Sequence, residues 1–234
     1  MSLNVLVTGA NRGIGLEFTR QLLERGDRVI AACRQPGRAH ALDELAGEHP
    51  GRLQLVPLDV SDVASHRALL GELPLLLGEG GRLDLVIHNA GVLPSGERLG
   101  QLEEAVLIDA LKTNATGPLL LSQSLAPHLA DGAKIAHLSS VLGSITATDA
   151  FSTPSYRISK AAQNMATRLL APALRDRGIT VLALHPGWVQ TEMGGSGAQV
   201  TPGDSARGLL KVIDGATLAD SGGFIDWQGK PIEW

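Results

Sequence analysis

Two residues one helical turn apart carry the clearest chemical signal in this chain. They are Tyr156 and Lys160, in the run Tyr156-Arg157-Ile158-Ser159-Lys160. Residues four apart share a helix face, so a phenol and an ammonium can reach one pocket. A free tyrosine titrates near about 10, too high for efficient proton transfer at neutrality, and a neighbouring cation favours the phenolate and lowers that value. The chain has 1 tyrosine in all, so no other phenol can substitute. Tyr and Lys at this spacing also occur as a plain helix surface. The upstream context argues against that reading: an apolar strand-like run at 135–138 ends in Ser139-Ser140-Val141-Leu142-Gly143, which brings a hydroxyl to the end of a strand. Alternation along the strand turns Ser139 to the opposite side and leaves Ser140 as the candidate.

These side chains need a scaffold, and the N-terminal stretch defines it. Val5-Leu6-Val7-Thr8 has strand character and runs into the turn Gly9-Ala10-Asn11-Arg12-Gly13-Ile14-Gly15, after which Leu16 to Leu23 has near-helical apolar spacing. A strand, a glycine turn and a helix N-terminus together form an anion site, because free backbone N–H groups and the helix dipole converge where glycines admit a pyrophosphate. The spacing is Gly-x-x-x-Gly-x-Gly rather than the more general Gly-x-Gly-x-x-Gly. In NAD-binding versions of this arrangement an acid about 20 residues onward bonds the ribose 2′-hydroxyl. Here that region reads Ala32-Cys33-Arg34-Gln35-Pro36, with no acid. Arg12 and Arg34 would instead pair with a 2′-phosphate, so NADP(H) is expected in preference to NAD(H). Asp59, after the third strand, would accept from the adenine amino group or else cap the following helix.

Strand-like and helix-like segments alternate along the remaining chain. Strands are predicted at 29–33, 53–58, 83–88, 135–138, 180–184 and 224–225. Helices are predicted at 39–46, 63–70, 102–129 with a bend near Gly117-Pro118, 154–176 with a break at Pro172, and 204–213. Apolar strands alternating with helices indicate a doubly wound, Rossmann-type, mostly parallel sheet with helices on both faces and the ligand at the carboxyl ends of the strands. At 234 residues the chain reads as one domain over 1–234, with a glycine-rich stretch, Met193-Gly194-Gly195-Ser196-Gly197-Ala198, inside a substrate lid near 191–203. The formal charge of −4, with no long run of either sign, argues against nucleic acid or an anionic membrane as partner. Cys33 alone cannot form an internal disulfide, and the N-terminus leads directly into a strand, so a cytoplasmic protein is expected. The histidines show no metal-ligand spacing, and no metal is expected.

In these motifs the sequence resembles the short-chain dehydrogenase/reductase family along essentially its whole length. Thr8 to Gly15 matches the family's cofactor motif and Leu58-Asp59-Val60 its adenine-side segment. His88-Asn89-Ala90-Gly91 matches its Asn-Asn-Ala-Gly block, with His88 in place of the first Asn. Asn114, Ser140, Tyr156 and Lys160 match its catalytic tetrad, and His185-Pro186-Gly187-Trp188-Val189-Gln190-Thr191 the segment that contacts nicotinamide. The stretch from Gly222 to Trp234 is similar to the C-factor and carbonyl-reductase-like branch. The resemblance implies an NADPH-dependent oxidoreductase that reduces a small carbonyl compound to an alcohol, with a signalling or dinucleotide-sensing protein of incidental turnover as the competing reading. It implies that Ser140 polarises the carbonyl, that Tyr156 is the proton donor, and that Lys160 lowers the Tyr156 pKa and binds the nicotinamide ribose. Asn114 would hold a water that links Lys160 to solvent, and Thr191 would bond the carboxamide. Gly9, Asn11, Arg12, Gly13, Ile14, Gly15, Arg34, Asp59, Val60, Asn89, Ala90, Gly91, Pro186, Gly187 and Val189 would complete the cofactor site, with Asn89 tying strands together and His88 filling the core. The helix that carries Tyr156 would form the face of a homodimer or homotetramer.

Overall fold

The structure, a computed structural model, describes residues 2–234. Seven strands form one parallel sheet: β1 Asn4–Thr8, β2 Arg28–Cys33, β3 Leu53–Pro57, β4 Leu83–His88, β5 Leu129–Leu138, β6 Thr180–His185 and β7 Phe224–Asp226. Their order is β3-β2-β1-β4-β5-β6-β7. The order reverses between β1 and β4, so the carboxyl ends of these two strands flank a crevice, the place where open α/β sheets bind ligands.

Seven α-helices cover the two faces: α1 Gly13–Glu24, α2 His40–Glu48, α3 Val63–Leu77, α4 Glu104–Leu111, α5 Gly117–Leu125, α6 Pro154–Ala173 and α7 Pro202–Gly215. Strand alternation divides the core. Val5 and Val7 of β1 pack with Phe18, Leu22, Leu42, Leu209 and Ile213 on one face. Leu6 packs with Leu69, Leu73, Leu121 and Leu125 on the other. Both faces of the sheet are thereby dry, which explains why its strands read as near-continuous apolar runs.

Four local features differ from the sequence expectations. The helix predicted over 102–129 is two helices, α4 and α5, joined by a π-helical turn at Lys112–Thr116, so the irregularity precedes Gly117-Pro118. Gly117 lets this segment approach the loop after β3 closely, since a Cβ there would lie 2.2 Å from the Val60 carbonyl oxygen. β5 begins at Leu129 rather than 135, with a register shift against β4 across the polar Asp131-Gly132 segment. α3 runs through Pro74 to Leu77, drawn on by the buried Leu73 and Leu77. Pro172 sits in the last turn of α6, where the helix is about to end, and does not divide it.

Candidate active site

Helix α1 opens directly after the glycine turn. Arg12 at its N-cap provides no side-chain cap, and its first turn contains no acid, so the leading N–H groups face the crevice without an internal anion. Gly9 (φ 64°) and Gly13 (φ 54°) hold left-handed conformations that side chains rarely adopt. A Cβ on Gly9 would approach the Ala90 backbone at 2.9 Å, and one on Gly15 would lie 2.2 Å from the Gly9 carbonyl oxygen. The turn is thus packed from beneath by the β4 loop and keeps its upper side open. Asn89 secures that packing: its Nδ2 donates to the carbonyl oxygens of Thr8 and Gly9, both at 2.9 Å, and its backbone N–H donates to Thr8 Oγ1.

The crevice holds a cleft of about 590 Å³, large enough for a dinucleotide-sized ligand. Of the candidate residues, Gly9, Asn11, Arg12, Gly13, Ile14, Arg34, Asp59, Val60, Asn89, Ala90, Gly91, Tyr156, Lys160, Pro186 and Thr191 line it. Gly15, Asn114, Ser140, Gly187 and Val189 do not. Gly15 serves backbone packing, and Gly187 (φ 85°) turns under the Trp227 indole. Val189 is buried and bridges to Val200. Arg34 and Asp59 stand at the β2–β3 side of the cleft, where Arg34 helps hold the Asp59 carboxyl below its usual value, after the larger effect of the Ser61 hydroxyl. Asp62, not Asp59, caps α3, its Oδ1 accepting from the Ala64 N–H. Arg12 reaches across the mouth and pairs with Glu192 of the loop after β6. Thr191 Oγ1 accepts from the Gly194 N–H at 3.1 Å, and its methyl group packs on Gly13.

Tyr156 lies in the first turn of α6 at the other end of the cleft and is nearly buried. Burial pushes its phenol up to about 12, and the Ser140 hydroxyl beside it partly offsets that rise. Ser140, at the end of β5, also accepts from the Leu142 N–H through the same oxygen, at 3.2 Å. Ser139 lines the cleft where Ser140 does not, but its hydroxyl is spent on Asn164 Oδ1 at 2.6 Å. Lys160 Nζ stands 5.7 Å from the centroid of the Tyr156 ring. It donates to the Leu138 carbonyl oxygen at 2.7 Å and to Gln163 Oε1 at 3.0 Å, and burial lowers its pKa to about 7. The sequence expectation that the lysine depresses the phenol pKa is therefore not met in this arrangement: desolvation dominates both groups, and the ammonium turns toward the two acceptors behind it. Asn114, in the π turn, is fully buried; its Oδ1 accepts from Val92 N–H, and its Nδ2 donates to Val92 O and Ser159 Oγ. Ser159 in turn donates to the Tyr156 carbonyl oxygen at 2.7 Å, so the π turn is tied to the base of α6.

The short chain dehydrogenase family model matches residues 3–200. The chain belongs to that family. Among curated relatives, 1-hydroxy-2-glutathionyl-2-methyl-3-butene dehydrogenase of Rhodococcus sp. (strain AD45) is 37% identical over 234 residues, covering 98% of this chain and 99% of the relative. C-signal of Myxococcus xanthus is 42% identical over 156 residues, covering 66% of this chain and 94% of the relative. Among solved structures, the NADPH-bound carbonyl reductase from chicken fatty liver superposes with a TM-score of 0.94 at 40% identity, over 100% of this chain and 99% of that one.

Sequence reasoning about this chain missed two residues at the site, Glu97 and Gln163. Glu97, in the loop after β4, accepts from the Ser155 N–H at 3.3 Å and from the Ser155 hydroxyl, and so caps the start of α6 beside Tyr156. Thr153 immediately before it is left-handed (φ 43°), the one non-glycine residue with positive φ among the described residues. The partners lie 58 positions apart, so no local pattern announces the contact. Gln163 is different: it lies three residues beyond Lys160 on one helix face, a spacing that was legible. His88 is buried in β4, bonds Ser122 Oγ at 2.8 Å and stacks on His137 of β5 at 4.9 Å. Among the described residues no group of three or more His, Cys, Asp or Glu side chains is placed to hold a metal ion, and no helix is long and apolar enough to cross a membrane.

Proposed function

We propose that this dehydrogenase is an NADP(H)-dependent carbonyl reductase that converts an aldehyde or ketone to the alcohol. The observation that carries the reading is the placement of Tyr156 and Lys160 at one end of a cleft, with the Ser140 hydroxyl beside the phenol, and of an uncapped helix N-terminus flanked by Arg12 and Arg34 at the other end. The glycine cradle fits a pyrophosphate: the N-terminus of α1 has no side-chain cap, and any side chain at Gly9 or Gly15 would collide with backbone. The two arginines suit a 2′-phosphate, with Arg12 exchanging Glu192 for it. The NADPH in the similar chicken carbonyl reductase supports that choice.

When bound, the reduced nicotinamide supplies the hydride. The Ser140 hydroxyl donates to the carbonyl oxygen and polarises it. Tyr156, a phenol that is protonated at neutral pH and that burial makes still harder to ionise, delivers its proton to the developing alkoxide. Lys160 offers its ammonium to the ribose hydroxyls and to the phenolate left behind, and Asn114 fixes the π turn against α6. Asp59, Val60, Asn89, Ala90, Gly91, Pro186 and Thr191 are assigned to shaping the walls around the dinucleotide, and Gly187 and Val189 to supporting that segment from behind. Residues 191–203 act as the lid of a single 1–234 domain. An exposed apolar stripe on α6, formed by Ile158, Met165 and Leu169, supports assembly of copies through that helix.

The test is NADPH oxidation against a panel of aldehydes, ketones and quinones, followed by Tyr156→Phe. Turnover should fall at least about 100-fold with NADPH affinity retained; unchanged turnover would remove Tyr156 from the mechanism. The similarity to C-signal favours a second reading, a dinucleotide-sensing protein with incidental turnover. Tight NADPH binding with no reduction of any carbonyl in the panel would select it.

A further inference from the structure

We propose that Gln163 is a positioning residue that keeps the Lys160 ammonium charged and seated beside the Tyr156 ring. The proposal rests on the oxidoreductase reading for its consequence, but not for its observation. Gln163 is completely buried one turn beyond Lys160 on α6. Its Oε1 accepts from Lys160 Nζ at 3.0 Å, while its Nε2 has no partner among the described residues. A buried amide left half unsatisfied is unfavourable at a position where a leucine would pack without that cost. The bond to Lys160 is what the amide contributes in return.

The surroundings make that bond decisive for the charge. Lys160 forms no ion pair among the described residues, and its other protein acceptor is the Leu138 carbonyl oxygen at 2.7 Å. No carboxylate bonds its ammonium, and Glu97, beside the start of the same helix, is engaged by Ser155. Tyr156 stands on the same helix. From β5 comes His137, whose Nδ1 lies 2.9 Å from Thr167 Oγ1. Thr167 spends its own proton on the Gln163 carbonyl oxygen, so His137 Nδ1 carries the hydrogen in that bond and the unpaired Nε2 carries a lone pair. His137 stays neutral, pushed down to about 3 by burial and then by the Lys160 charge. His88 of β4, stacked behind it, is held well below its usual value for the same first reason. His185 of β6 accepts from the Val141 N–H. Asp109 of α4 and Lys112 of the π turn are exposed to solvent. The Gln163 oxygen is therefore the one side-chain acceptor bonded to Lys160.

Full-length protein labelled with 13C-lysine tests this by NMR titration. The chain has 5 lysines, and Lys160→Met assigns the relevant signal. Lys160 should titrate near about 7 in the natural sequence. Gln163→Met should lower that midpoint by about one to two pH units, the size of one lost hydrogen bond to a charged group. Gln163→Glu should raise it, and the signals of Lys112, Lys134, Lys211 and Lys230 should not move. In turnover, Gln163→Met should reduce kcat about tenfold or more at neutral pH while leaving NADPH affinity nearly intact, and the kinetic pH profile should move with the NMR midpoint. A Lys160 midpoint unchanged in both variants overturns the proposal, and Gln163→Glu keeps it testable if the methionine variant does not fold. The two readings fail separately: natural protein that reduces no carbonyl removes the oxidoreductase reading and leaves the NMR shift to be measured, whereas an immobile midpoint in active protein removes the Gln163 proposal alone.

Discussion

Lys160 should cost this protein stability, and the cost should follow a defined pH course. Burial lowers its pKa from 10.5 to about 7, a difference of about 3.5 pH units and on the order of 5 kcal/mol at 1.36 kcal/mol per unit. The sign is fixed by linkage: between these values the unfolded chain binds a proton that the folded chain does not, so stability rises with pH across that window. Below about pH 7 the whole penalty is present, and above 10.5 it has gone. Lys160→Met removes the titration but leaves Leu138 O and Gln163 Oε1 without their donor, at about 1–3 kcal/mol each. These two effects oppose each other in the absolute difference between natural protein and variant, whereas the slope with pH belongs to the lysine alone. Urea unfolding at a series of pH values should show the natural protein gaining up to about 1.4 kcal/mol per pH unit relative to Lys160→Met between about 7 and 10. A difference that is constant with pH would refute the assignment of a buried, depressed lysine.

Four further outcomes follow from the same geometry. Since Tyr156 is the sole tyrosine and burial raises it to about 12, the absorbance of the free protein should show phenolate only well above pH 10, and Ser140→Ala should raise the midpoint further because the Ser140 hydroxyl lowers it. The raised value also means that the folded state loses stability as pH climbs from 10 to about 12, a slope that Tyr156→Phe should abolish in thermal unfolding. Gly15→Ala places a methyl group 2.2 Å from the Gly9 carbonyl oxygen and 2.4 Å from Asn89 Nδ2; the turn must shift, costing about 1–3 kcal/mol or more in chemical denaturation and most of the NADPH affinity in calorimetry. Arg34→Glu should weaken NADPH about 10- to 100-fold and leave NADH nearly unchanged in a binding titration; equal losses would discredit phosphate pairing at that position.

The chemistry of the site was written locally, and local writing is what sequence reading recovers. Strand-glycine-helix at 4–24 and Tyr156 with Lys160 on one helical turn are periodicity and spacing, and the parallel sheet follows from apolar strands that must be covered on both faces. Where the helices end was less legible. The π turn around Asn114 depends on the approach of Gly117 to Val60, and the early start of β5 on pairing with β4. The direction in which the Lys160 ammonium points could not be read from Tyr-x-x-x-Lys either. It is set by Leu138 on a neighbouring strand and Gln163 on the same helix, and the desolvation that moves the Tyr156 and Lys160 pKa values in opposite directions exists only once β5 and α6 close over them. The sequence alone thus determined that Tyr156 and Lys160 share one helix face and that a glycine turn joins the first strand to its helix. Tertiary packing decided their hydrogen bonds and protonation, because both depend on how much water the assembled core excludes.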